Sequence, residues 1–251
     1  MAGHSKWANI KHRKGAQDAK RSRIFTRIIK ELTVAVKESG TDTDTNPRLR
    51  TAMQNAKGAN MPKDTIERTI KKASGTDGTS YEEVTFEGYA SSGVAVFVEC
   101  TTDNNNRTVA NIRAIFSKYG GNLGTNGSLE FIFDRKGVFT IDSKNVNMDL
   151  EELEMELIDG GLEELEKEET IILIYTDFAD FSAMQKKLEE LKIEIHSAEL
   201  QRIPRATKPL NIEKSKSVLK MIDKFEEDDD VQNVFHNLEM TKELMQAFEE
   251  K

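Results

Sequence analysis

The sequence predicts an α+β protein of three domains: an N-terminal helical bundle plus two α/β sandwich domains, one inserted in the other. Three observations carry that expectation. Apolar residues recur at helical spacing up to about Gly75 and fall into short strand-like runs afterwards. Polar or proline-bracketed stretches break the pattern at "SGTDGTS" (74–80) and between Pro204 and Pro209. The charge is segregated as well. Residues 1–75 hold 17 Lys+Arg and 7 Asp+Glu, net +10, and the remainder holds 19 and 37, net −18.

Each element follows from its own pattern. In "AKRSRIFTRIIKELTVAVKESG" (19–40), Ile24, Ile28 and Leu32 fall four apart with Phe25, Ile29 and Val36 beside them, and Gly40 stops the helix. Asn46-Pro47 reads as an N-cap and first helical residue. The second helix turns Leu49, Met53 and Ala56 inward and stops near Gly58. A third starts at Met61-Pro62, buries Ile66, Ile70 and Ala73, and pairs Glu67 with Lys71. "YEEVTFEGY" and "VAVFVEC" are strands around the turn "ASSG" (90–93), and "NRTVANIRAIFSKYGG" is a helix with Val109, Ile112, Ile115 and Phe116 in its stripe. "LEFIFD" is a further strand.

A new unit begins with the strand "GVFTI". It continues with the helix "DLEELEMELIDGG", burying Leu150, Leu153 and Leu157, then the strand "TIILIYT". A helix with Phe178, Phe181, Met184, Leu188 and Leu191 inward and the strand "IEIHSAELQRI" close it. What remains, "KSKSVLKMIDKFEE" and "VQNVFHN", is one helix and one strand, too little to fold alone. They complete the unit broken off near Asp134. The expected domains are therefore 1–77, basic and helical; 78–135 with 205–251, discontinuous; and 136–204, an inserted ferredoxin-like domain.

The overall net charge is −8 and the pI about 5.3, yet Lys6 to Arg27 contains eight cations and one acid, Asp18. Cation density of this kind is the footprint of a nucleic-acid binder. The expected contacts are Lys6, Trp7, Lys11, His12, Arg13, Lys14, Lys20, Arg21, Arg23 and Arg27. Trp7, the only tryptophan, has two readings: a ring that stacks on an unpaired base, or an anchor docking the tail on the bundle. A membrane surface is the competing polyanion, but no continuous apolar face is available before Ile24. In "TTDNNNRT" (101–108), Asp103, Asn104, Asn106 and Arg107 form a possible secondary contact at a helix N-terminus, and the same residue types cap helices.

Other features point away from chemistry. "GGNLGTNG" follows a helix and lacks the Gly-Lys-Ser/Thr ending of a phosphate loop. "EEDDD" (226–230) lacks calcium-loop spacing and reads as a solvated helix end. His4, His12, His196 and His236 have no metal-ligand spacing, and no serine or cysteine sits in a nucleophile motif. No catalytic residue, metal, cofactor or small-molecule substrate is expected. No apolar run approaches the length of a membrane span, and no secretory signal is visible. A basic, acid-poor start also fits a transit peptide, but here it runs straight into a helix. The lone Cys100 fits a reducing, cytoplasmic setting.

"MAGHSKWANIKHRKGAQDAKR", "NPRLR", "FEGY", "TDNNNRT", "FSKYGGNLG" and "DDDVQNVFHN" together resemble the YebC/PmpR family. Its members include bacterial proteins labelled transcriptional regulators and the mitochondrial translational activator of cytochrome c oxidase. The resemblance spans nearly the whole chain, least at about 136–204. It implies the three-domain fold and a non-enzymatic role in gene expression. That role is either a ribosome-associated translation factor relieving stalling, notably at proline runs, or a DNA-binding regulator of transcription. Apart from the resemblance, a metal-dependent nuclease or hydrolase using Asp103 or the acidic run 226–230 is the remote third reading. One departure stands out: "ASSG" replaces the family's usual Gly-Pro-Gly-Gly type of loop. The residues themselves favour RNA over DNA, because no helix-turn-helix with a clear base-reading set is present and the cations cluster in a tail suited to threading into structured RNA.

Overall fold

The computed structural model describes residues 17–75 and 79–249. They form helices and two four-stranded antiparallel sheets, with the helices α1 (Gln17–Ser39), α2 (Pro47–Gly58) and α3 (Lys63–Ser74) leading the chain. Asn46 caps α2 as expected. Its side-chain oxygen accepts from Leu49 N at 3.0 Å, and its amide donates to the carbonyls of Ala35 and Gly40 at 2.7 and 2.8 Å. One buried residue thus closes the end of α1 and opens α2. Glu67 pairs with Lys63 at 3.5 Å, one turn earlier than the expected Lys71.

By their internal contacts the residues fall into two compact units. The first comprises the described residues of 1–27, 80–134 and 203–251, and the second those of 28–79 and 135–202. The boundary at Arg27/Ile28 falls inside α1.

In the first unit the strands β1 (Glu82–Tyr89), β2 (Ala95–Thr102), β3 (Asn122–Leu123) and β8 (Val231–His236) lie in the order β3-β1-β2-β8. Helices α4 (Asn105–Lys118) and α7 (Ile212–Glu226) supply Ile112, Phe116, Leu219, Ile222 and Phe225 to the core over Val96, Val98 and Cys100. Phe116 meets Phe225 at 4.9 Å between ring centroids. Ala95 and Phe97 point the other way, against Leu129, Phe133 and Phe235. Strand β2 is therefore covered on both faces, and that is why "VAVFV" (94–98) is an unbroken apolar run. Helix α8 (Lys242–Glu249), unforeseen in the sequence, adds Leu244 to this core. At the "ASSG" turn, Ser92 and Gly93 both have positive φ, +66° and +73°, a conformation that favours glycine.

In the second unit β4 (Phe133–Asp142), β5 (Leu162–Glu168), β6 (Ile171–Asp177) and β7 (Ile195–Pro204) lie in the order β5-β6-β4-β7. With α5 (Leu150–Ile158) and α6 (Phe181–Glu190) the element order is β-α-β-β-α-β. Phe139, Ile141, Ile172 and Ile174 meet Leu153, Leu157, Met184 and Leu188 in one core. Helix α2 is tied to the same unit: Asn55 bonds both Ala198 N and O at 2.8 and 2.9 Å, and Thr51 and Gln54 bond Gln185.

Four expectations need correction. "LEFIFD" is not a separate strand: Leu129–Ile132 is a turn, and β4 runs unbroken from Phe133. Strand β5 went unseen, because "LEELEKE" is charged at most positions. It is an edge strand, where charge blocks unwanted pairing. Leu150 and Phe178, expected inward, are exposed. Phe178 sits just before α6 and stacks under the Arg135 guanidinium at 4.4 Å instead.

Candidate nucleic-acid interface

Of the expected cationic contacts, Lys6, Trp7, Lys11, His12, Arg13 and Lys14 lie outside the described residues. Lys20 is described only by its place in α1. Arg21 and Arg23 stand in the first turns of α1, where the sequence "AKRSR" leaves no apolar position to bury. Arg21 is exposed and lies over the Phe25 ring at 5.4 Å. Arg27 is turned to a structural task. Its Nε donates to the Val231 carbonyl and its Nη2 to the Glu226 carbonyl, both at 3.1 Å. These bonds tie α1 to carbonyls at the end of α7 and the start of β8. Arg23 and Arg27 face Glu226, Asp228 and Asp229 across a shallow cleft. The inner end of the basic segment thus lies beside the acidic run rather than in a uniformly cationic surface.

The second cluster is built at the junction of β2 and α4. Asn104 caps α4, its side chain accepting from Arg107 N at 3.1 Å. Thr102 Oγ1 accepts from Asn104 N at 2.9 Å and lies 2.8 Å from Thr108 Oγ1. Arg107 bridges two carboxylates, Asp103 at 2.8 Å and Asp230 at 2.7 Å. Thr108 Oγ1 also donates to Asp230 Oδ2 at 2.9 Å. Those bonds hold the Arg107 guanidinium above its ordinary pKa, Asp230 contributing more than Asp103. Nearby, burial raises the Tyr81 phenol, and the charges of Asp103 and Asp230 raise it further.

The structure thereby corrects the reading of "EEDDD" as a solvated helix end. The Asp230 side chain is only 6% exposed and closes the cluster. Asp228 accepts from Asn111 at 3.0 Å and from Asp230 N at 2.9 Å. Asp228 and Asp230 were missed because their partners lie more than a hundred residues away in sequence. The available signal was the presence of two polar motifs, one with an arginine and one acidic, on elements that pair through β2 and β8. Asp103, Asn104 and Arg107 are brought together, and Asn106 is exposed on the first turn of α4.

The glycine-rich loop binds an anion of its own. The buried Glu87 carboxylate accepts from Gly127 N at 2.7 Å and Leu129 N at 2.6 Å. Among the described residues no group of three or more His, Cys, Asp or Glu could hold a metal ion, and no helix is long and apolar enough to cross a membrane.

Two family models match in chain order. Residues 5–76 match the TACO1/YebC protein N-terminal domain, and residues 81–238 match the TACO1/YebC second and third domain. The chain belongs to the TACO1/YebC family. Relatives within the family agree over nearly the whole length. A probable transcriptional regulatory protein of Amoebophilus asiaticus is 55% identical over 240 residues, covering 95% of this chain and 98% of the relative. One from Geobacillus kaustophilus is 49% identical over the same shares. A conserved hypothetical protein from Aquifex aeolicus, solved by crystallography, has the same fold, with a TM-score of 0.83 and 40% identity. That match covers 94% of this chain and 98% of the other.

Proposed function

We propose that this TACO1/YebC protein is a non-enzymatic, cytoplasmic gene-expression factor that binds RNA on the ribosome and relieves stalling, with proline runs the first candidates. The observation that carries the reading is charge segregation: net +10 over residues 1–75 against −18 over the rest. A polyanion attracted by the first segment is repelled by the remainder, so engagement is restricted to geometries that the N-terminal residues reach alone. Structured RNA with neighbouring protein offers that geometry, and a cationic tail can order on it. Lys6, Trp7, Lys11, His12, Arg13, Lys14, Lys20, Arg21 and Arg23 are the contacts in this reading. Arg27 supports it from behind through its carbonyl bonds. Asp103, Asn104, Asn106 and Arg107 remain a secondary contact only through what their internal bonds leave exposed.

The names of the relatives, probable transcriptional regulatory proteins, favour a second reading as a DNA-binding regulator. Both readings share the cationic segment, so bare affinity does not separate them. What tests the shared part is salt dependence. Binding of the full chain to a structured RNA should weaken linearly with log salt, by about 0.7 to 0.9 log units per phosphate contact. Lys11→Glu, Arg13→Glu and Lys14→Glu together should lower both affinity and slope. An unchanged slope in that triple variant contradicts the assignment.

A further inference from the structure

Helix α5 buries Leu153 and Leu157 and turns Met155 and Ile158 outward, 66% and 62% exposed. Three residues apart on a helix, these two side chains are neighbours. Single exposed apolar residues are ordinary, whereas this adjacent pair forms a contiguous apolar spot on the helix surface. Glu151, Glu152, Glu154 and Asp159 surround the pair, all exposed, and α5 contains no basic residue. Glu156 on the same helix is already engaged by Lys187 at 2.8 Å.

We propose that the Met155–Ile158 face of α5 docks a cationic segment of another protein, one carrying Lys or Arg around an apolar anchor. The argument is charge complementarity. A rim of four carboxylates repels nucleic acid, anionic lipid and the same face of a second copy, and it attracts a basic polypeptide. The apolar centre selects against a plain polycation, since an apolar core within a polar rim is the anatomy of a protein interface. One short helix face is much smaller than the roughly 1,600 Å² of a standard stable interface, so the contact belongs to the weak, transient class. This surface lies in residues 135–202, and the inference stands independently of the N-terminal reading.

The test titrates the full-length protein into a fluorescent helical peptide of about 14 residues, leucine on one face and lysine on the other. An oligolysine of equal length is run in parallel. The amphipathic peptide should bind at least about tenfold tighter than oligolysine. Met155→Glu with Ile158→Glu should lose that advantage, and Met155→Ala with Ile158→Ala should lose it without adding charge. Glu151→Gln with Glu154→Gln should weaken binding severalfold and flatten its salt dependence, whereas Glu82→Gln with Glu83→Gln, on β1, should change neither. All six positions are exposed, and an unchanged circular-dichroism melt shows the fold intact. Equal binding by the Met155/Ile158 variants overturns the proposal, as does equal affinity for oligolysine. Self-association that disappears in the Met155/Ile158 variants also overturns it, by assigning the face to a second copy.

Discussion

Arg107 shows how far a single residue's role depends on what the fold brings to it. In sequence it is a cation at a helix start, equally suited to an anion or to a cap. In the structure it spans Asp103 and Asp230, and Asp230 also holds Thr108. Removing the buried carboxylate takes one acceptor from each donor, leaving Arg107 with Asp103 and Thr108 with Thr102 and the Asn104 carbonyl. A lost buried hydrogen-bond partner typically costs about 1–3 kcal/mol. Asp230→Ala should therefore lower the unfolding free energy by about 2 kcal/mol in urea denaturation. A change within about 0.5 kcal/mol, the range of a neutral surface substitution, would show the cluster to be incidental. Asn104 as the cap was legible, because capping depends on neighbours in sequence. Asp230 was not, because its burial depends on β8 pairing with β2.

At the scale of elements, legibility followed local signal. Helices α1 to α3 carry their stops and caps in the chain itself, at Gly40, Asn46-Pro47 and Gly75. Strand β2 was plain because it opens on the apolar run Ala95–Val98. The hidden elements are those whose stability comes from tertiary pairing: β5, an acidic edge strand held by β6, and β3, two residues bonded to β1. Gly58 closes α2 for a reason no local rule reveals. A Cβ there would overlap the His196 carbonyl oxygen, which belongs to β7 in the same unit. Backbone cannot yield as a side-chain tip does, so Gly58→Ala should cost about 3 kcal/mol, at the upper end of overpacking. A thermal midpoint unchanged by Gly58→Ala would mean that α2 and β7 do not approach this closely in solution.

For the molecule as a whole, we propose that residues 136–204 are an insertion in the domain formed by 78–135 and 205–251. The sheet β3-β1-β2-β8 draws no strand from the inserted stretch. Where the chain leaves and returns, Arg205 pairs with Asp134 at 2.8 Å and its amide bonds the Ile132 carbonyl at 2.9 Å. Joining the flanks with a short Gly/Ser linker should leave a remainder that unfolds cooperatively. It should melt lower than the full chain, because Thr51, Gln54 and Asn55 lose Gln185 and Ala198. A remainder without a cooperative transition would contradict the insertion.

The central claim concerns where the cationic segment is used. Its most direct test is co-sedimentation of the full chain with ribosomes at physiological salt, alongside the variant reversing Lys11, Arg13 and Lys14 to Glu. The account predicts that the full chain pellets with ribosomes and the variant stays in the supernatant. Promoter binding that survives excess competitor DNA, with no ribosome association, would contradict the account and assign the segment to transcription.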